Sequence, residues 1–66
     1  MKNKLKVQRA MHDLTQAGLA EKIGVTRQSI NAIEKGKYVP STVLALKIAK
    51  LFNESVENIF SLEDND

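Results

Sequence analysis

The chain has no cysteine, so no disulfide and no thiolate-bound metal can hold it together. Its single histidine, His12, cannot build a zinc site alone. No segment approaches the roughly 20 apolar residues that a membrane span needs. Lys2, Lys4 and Lys6 look like the start of a secretory signal, but no apolar stretch follows them. A cytoplasmic location with no membrane partner is expected. Ser29 has no paired base, which argues against nucleophilic catalysis. Glu54, Glu57, Glu63, Asp64 and Asp66 lack the spacing of a cation loop and read as a solvated acidic face. These absences predict a protein that is not an enzyme and carries no cofactor, no metal and no evident small-molecule ligand.

What is present is short and unevenly charged. Sixty-six residues allow one small domain, 1–66, whose stability should be marginal without help from helix packing or a partner. Residues 1–37 hold eight Lys/Arg against three Asp/Glu, whereas residues 38–66 hold two against five. A basic first half suits phosphate binding, and the acidic second half should stay away from it. Lysine-rich starts and acidic ends are also common on soluble proteins, so charge alone decides little.

Turn signals cut the sequence into five helical pieces. Asn3 to His12 forms the first, ended by Asp13 in a left-handed conformation. Thr15 caps the second, Gln16 to Ile23, which Gly24 breaks. Thr26 caps the third, Arg27 to Lys35, and Gly36 ends it. Ser41 caps the fourth, Thr42 to Phe52, closed by Asn53. Ser55 caps a last short helix, Val56 to Phe60. Leu19, Ile23, Val25, Ile30 and Ile33 recur at inward-facing intervals, as do Ala45, Ile48, Ala49 and Phe52. The economical fold is all-α, a compact five-helix bundle with short loops. Strand pairing between the two ends, near Lys2–Lys4 and Ser61–Glu63, is a minor addition.

Residues 16–35 carry most of the information. Two short amphipathic helices meet at Gly24, where a positive φ is cheap only for glycine. Ala20 lets their backbones approach. The third helix exposes Arg27, Gln28, Asn31 and Lys35. An arginine can grip guanine O6 and N7, and Gln or Asn can pair with adenine N6 and N7. The helix is about 13 Å long, which suits a major groove about 12 Å wide. Lys35, Lys37 and Tyr38 are placed to meet backbone phosphate. Gln16 opens the second helix, whose N-terminal N–H groups favour a phosphate. This is the layout of a helix-turn-helix reader of double-stranded DNA.

The segment Leu14-Thr15-Gln16-Ala17 through Glu34-Lys35-Gly36-Lys37 resembles the phage repressor and Cro type of helix-turn-helix, also called the xenobiotic-response-element type. The likeness continues through Pro40-Ser41 and the fourth helix to Ile59-Phe60. The layout is similar to that of the lambda-repressor-like domains, and of small stand-alone dimeric regulators of the cytolysin-repressor type. The resemblance implies a transcriptional regulator, a repressor that binds a pseudo-palindromic operator as a homodimer. It puts Gln16, Thr26, Arg27, Gln28, Ser29 and Asn31 at the DNA, with Thr15 among the positioning residues. It also implies an ion pair between Arg9 and Glu34. The alternative is an interaction module, such as an antitoxin or adaptor, that keeps the fold without reading DNA.

Two positions depart from the family. Gly18 stands where Glu is usual and where a capping box from Thr15 would want one. Gln8 falls where an apolar residue is usual. Val7 and Met11 form an apolar pair off the main stripe, which packs under a chain terminus or offers a second contact surface. His12 reads as an exposed residue near a helix end. Ile59, Phe60 and Leu62 are too many for so short a last helix to bury. A C-terminal segment of about 55–63 is therefore expected to form a two-fold interface, the alternative being that these residues close the monomer's core.

Overall fold

The computed structural model describes all of residues 1–66. Its order is β1 (Lys2–Asn3), α1 (Leu5–Met11), α2 (Gln16–Ile23), α3 (Arg27–Glu34), α4 (Thr42–Phe52), α5 (Val56–Ile59) and β2 (Phe60–Ser61). The two strands pair antiparallel within the chain, Lys2 opposite Ser61 and Asn3 opposite Phe60. The all-α bundle is thus present with a two-residue strand at each end. No helix is long and apolar enough to cross a membrane.

Local chemistry sets most helix ends. The hydroxyls of Thr15, Thr26 and Ser41 accept the N–H of Gly18, Ser29 and Leu44, each three residues ahead. Such caps satisfy donors that the first turn leaves unpaired. Asp13 and Asn53 adopt left-handed φ values of 54° and 55°. Gly24, at φ 76°, turns the chain from α2 into α3.

Four boundaries differ from the sequence reading, one of them the end of the first helix, which comes at Met11 with His12 as its cap residue. The first helix starts at Leu5, because Asn3 is taken by the sheet and bonds elsewhere. Its Oδ1 accepts the Leu5 N–H at 3.1 Å, and its Nδ2 donates to the Ile33 carbonyl at 2.8 Å. The third helix ends at Glu34, with Lys35 as its cap residue. The last helix stops at Ile59, because Phe60 pairs with Asn3 in the sheet.

The core gathers Leu5, Leu19, Ile23, Ile30, Ile33, Ile48, Phe52, Ile59 and Phe60 with smaller neighbours. Val25 and Ala45 are only partly buried against it. Ile59 and Phe60 therefore lie inside a single chain, while Leu62 is 79% exposed. A one-turn helix could not cover all three, but the sheet supplies the missing cover for two. Of the three residues expected at a two-fold interface, only Leu62 remains an exposed surface.

Gln8 occupies a core-facing position at 8% exposure, and its Oε1 has no hydrogen-bond partner. Val7 and Met11 are exposed. His12, exposed at the end of α1, packs against Phe52 in a tilted arrangement with ring centroids 4.9 Å apart. At the other end of the chain, the Met1 ammonium sits 3.1 Å from Asp66 and 3.4 Å from Glu63. Bonding to Asp66 raises the amine's pKa above its usual 8.0. The Glu63 N–H, and then the amine, hold the Asp66 carboxyl below its usual 3.8.

Candidate nucleic-acid interface

The α2–turn–α3 unit is fixed from beneath by apolar packing. Leu19, Ala20 and Ile23 of α2 and Ile30 and Ile33 of α3 are all buried. Burying that stripe leaves the polar positions of α3 on the outside, as amphipathic spacing requires. Arg27 and Gln28 are exposed, and no side-chain hydrogen bond or ion pair within the chain engages either. Lys35, Lys37 and Tyr38 follow the helix and are exposed too. Ser29 is half-buried, and its hydroxyl lies 3.0 Å from that of Thr26. The two hydroxyls thus form a pair at the start of α3.

Asn31 is held quite differently. The Arg9 Nε donates to Glu34 Oε2 at 2.8 Å, and Arg9 Nη1 donates to the Leu14 carbonyl at 2.8 Å. Both side chains of the ion pair are largely buried, at 16% and 6% exposure. The other Glu34 oxygen, Oε1, accepts from Gln16 Nε2 at 3.1 Å. The same Gln16 nitrogen donates to Asn31 Oδ1 at 3.2 Å. Arg9, Glu34, Gln16 and Asn31 therefore form one chain of bonds across three helices.

That chain changes what Gln16 can offer. A glutamine amide has two N–H donors, and both are committed here. Only its carbonyl oxygen remains, and an acceptor cannot bond a phosphate oxygen. A phosphate at the start of α2 would have to be met by backbone N–H groups instead. Nothing in the sequence marks this, because it depends on residues 9, 16, 31 and 34 converging. Asn3 was also missed, although it ties β1 to the last turn of α3. Asparagine is a common local backbone binder, but its partner 30 residues away gives no sequence signal. Ile59 and Phe60 lie in the core at the closure between the chain's ends, and Leu62 is exposed beyond the strand.

A family model described as helix-turn-helix matches residues 5–59. The chain is 62% identical over 66 residues to an uncharacterised helix-turn-helix-type transcriptional regulator of Methanocaldococcus jannaschii, covering 100% of both. It is 53% identical over 66 residues to another of Bacillus subtilis, again covering 100% of both. Among solved structures, it is similar to the SOS-response transcriptional repressor LexA of Eubacterium rectale. The TM-score is 0.80 at 26% identity, and the match covers 94% of this chain and 66% of that one.

Proposed function

The chain belongs to the helix-turn-helix family, and from that premise we propose that it is a sequence-specific DNA-binding transcriptional regulator, a repressor acting on a pseudo-palindromic operator as a homodimer. The observation that carries this reading is the outer face of α3. Arg27 and Gln28 are exposed and unengaged on a helix whose other face is locked into the core. Side chains free to bond base edges, on a backbone that cannot shift, are what direct readout requires. The names of the relatives, helix-turn-helix-type transcriptional regulators, agree with it.

In this reading Arg27, Gln28 and Asn31 meet base edges. Lys35, Lys37 and Tyr38 meet phosphates, with Thr15, Thr26, Ser29 and the first turn of α2 fixing position. Phosphate contacts set register and salt dependence, whereas base contacts set sequence. Two copies would place their α3 helices in successive major grooves, about 34 Å apart. Support for pairing comes from apolar side chains that one chain leaves in water, among them Val39, Val43, Leu46 and Leu62. A surface of that kind on so small a domain suits a second copy.

Selection of bound sequences from random DNA tests the reading. A single preferred site is expected, bound more tightly than bulk DNA and with affinity falling steeply as salt rises. Arg27→Ala and Gln28→Ala should each relax one position of that site. Lys37→Ala should weaken binding to every sequence alike and flatten the salt slope. Leu62→Lys should lower the mass seen by equilibrium sedimentation. A chain with no sequence preference would point instead to the protein-interaction role.

A further inference from the structure

We infer that Ala32 is a base-reading residue, its methyl group set against the C5-methyl of a thymine in the major groove. The inference rests on the DNA-reading function proposed above and adds an apolar contact to it. Helical position comes first. Ile30 and Ile33 are buried and mark the inward side of α3. At about 100° per residue, Gln28 lies almost opposite them, and Asn31 and Ala32 stand about 50° to either side of it. On the Asn31 side α2 approaches, and Gln16 donates to the Asn31 oxygen at 3.2 Å. Ala32 borders the other side of the same outward ridge.

Core packing does not account for this residue. Ile30 and Ile33, the other apolar side chains of α3, belong to the core. Ala32 is half-buried, yet it is neither part of that core nor among the side chains packed against it. Its companions on the outer face are Arg27, Gln28, Asn31 and Lys35, whose tips carry charge or form hydrogen bonds. Ala32 gives that face its one methyl tip. The major-groove edges of the bases show donors, acceptors and a single kind of apolar group, the thymine methyl. Set against a donor or acceptor, a methyl strips water and offers no bond in return. Set against the thymine methyl, it removes only apolar surface from water. Alanine's size serves the same contact, because a longer side chain there would hold α3 off the base edges. Ala32 lies one turn beyond Gln28, about 6 Å along the helix. Stacked base pairs are about 3.4 Å apart. The thymine is therefore expected within about two base pairs of the position that Gln28 reads.

The experiment remakes the site selected by the wild type with deoxyuridine in place of each thymine in turn. That change deletes the C5-methyl and leaves every hydrogen-bonding group in place. Affinity is measured for the wild type and for Ala32→Gly, and Gln28→Ala marks its own position by the preference that disappears. In the wild type, one thymine of each half-site should lose about fourfold in affinity as deoxyuridine, the factor that burying one methyl group is worth. Ala32→Gly should bind the intact site more weakly, and its deoxyuridine penalty at that thymine should fall to near unity. The penalty is a ratio measured on one protein, so the general weakening of a helix by glycine cancels from it.

A wild type indifferent to every thymine methyl of its site, or a site that holds no thymine, overturns the inference while leaving the DNA-reading function standing. So does a penalty that is the same in Ala32→Gly as in the wild type. A wild type that selects no sequence overturns both.

Discussion

The molecule is tied by two clusters of charged groups that use the same chemistry in different surroundings. One joins α1 to α3 through Arg9 and Glu34, with side chains only 16% and 6% exposed. The other joins the chain's ends through the Met1 ammonium, Glu63 and Asp66, where the side chains of the closer pair are 20% and 27% exposed. In the first, both oxygens of Glu34 are bonded by groups that cannot leave without exposing it. In the second, water can replace any partner. Burial, rather than the number of opposite charges, should decide which cluster stabilises the fold. The terminal closure draws its strength from Ile59 and Phe60 beneath it, not from the ions above.

Four variants can break or sharpen that contrast, each read from the urea midpoint of unfolding. Phe60→Ala should do the most damage, costing about 3–5 kcal/mol, as for other large core aromatics. A loss under about 1 kcal/mol would mean the closure is not part of the core. Arg9→Ala should come next, at about 3 kcal/mol, because it strands a buried Glu34 carboxylate. If the loss is no larger than for an exposed pair, burial is not the deciding factor. Gly18→Ala should stabilise by somewhat less than the ~1 kcal/mol that separates these residues in a helix. The gain is trimmed because a Cβ there would lie 3.2 Å from Thr15 Oγ1, the atom that caps α2. A drop in the midpoint would show that the cap cannot yield.

Asp66→Asn should have the smallest effect. The raised Met1 amine stabilises the fold while it stays charged, and this is lost as pH rises above 8.0 through its folded value. The lowered Asp66 carboxyl stabilises it above 3.8, and this is lost as pH falls through its folded value. The share of the difference between wild type and Asp66→Asn that comes from the amine should therefore appear only between those limits and shrink with added salt. The share from the Glu63 N–H persists above them. A difference that does not decline at all as pH rises above 8.0 would show that the amine is not an energetic partner of Asp66.

The helices that were legible in the sequence are those whose ends are set by near neighbours. Thr15, Thr26 and Ser41 each bond an N–H three residues away, and Gly24 and Asn53 turn on their own φ. The ends that shifted, Asn3 and Phe60, are claimed by each other across 57 residues. Their pairing also decides that Phe60 lies inside, which helix spacing alone could not show. The same division runs through the candidate interface. Exposure of Arg27 and Gln28 follows from helical period. The occupied donors of Gln16 follow only from three helices meeting.

Gln8 sets the first helix apart in a further way. Its buried oxygen lacks a donor, yet in water it would find one at once. Momentary opening of α1 around this residue thus regains a hydrogen bond that the closed state forgoes. In amide hydrogen exchange, the protons near Gln8 should escape by local fluctuations, ahead of those in the middle of α2 and α3. The fold would then breathe at the edge supplied by α1 while the helix-turn-helix stays shut.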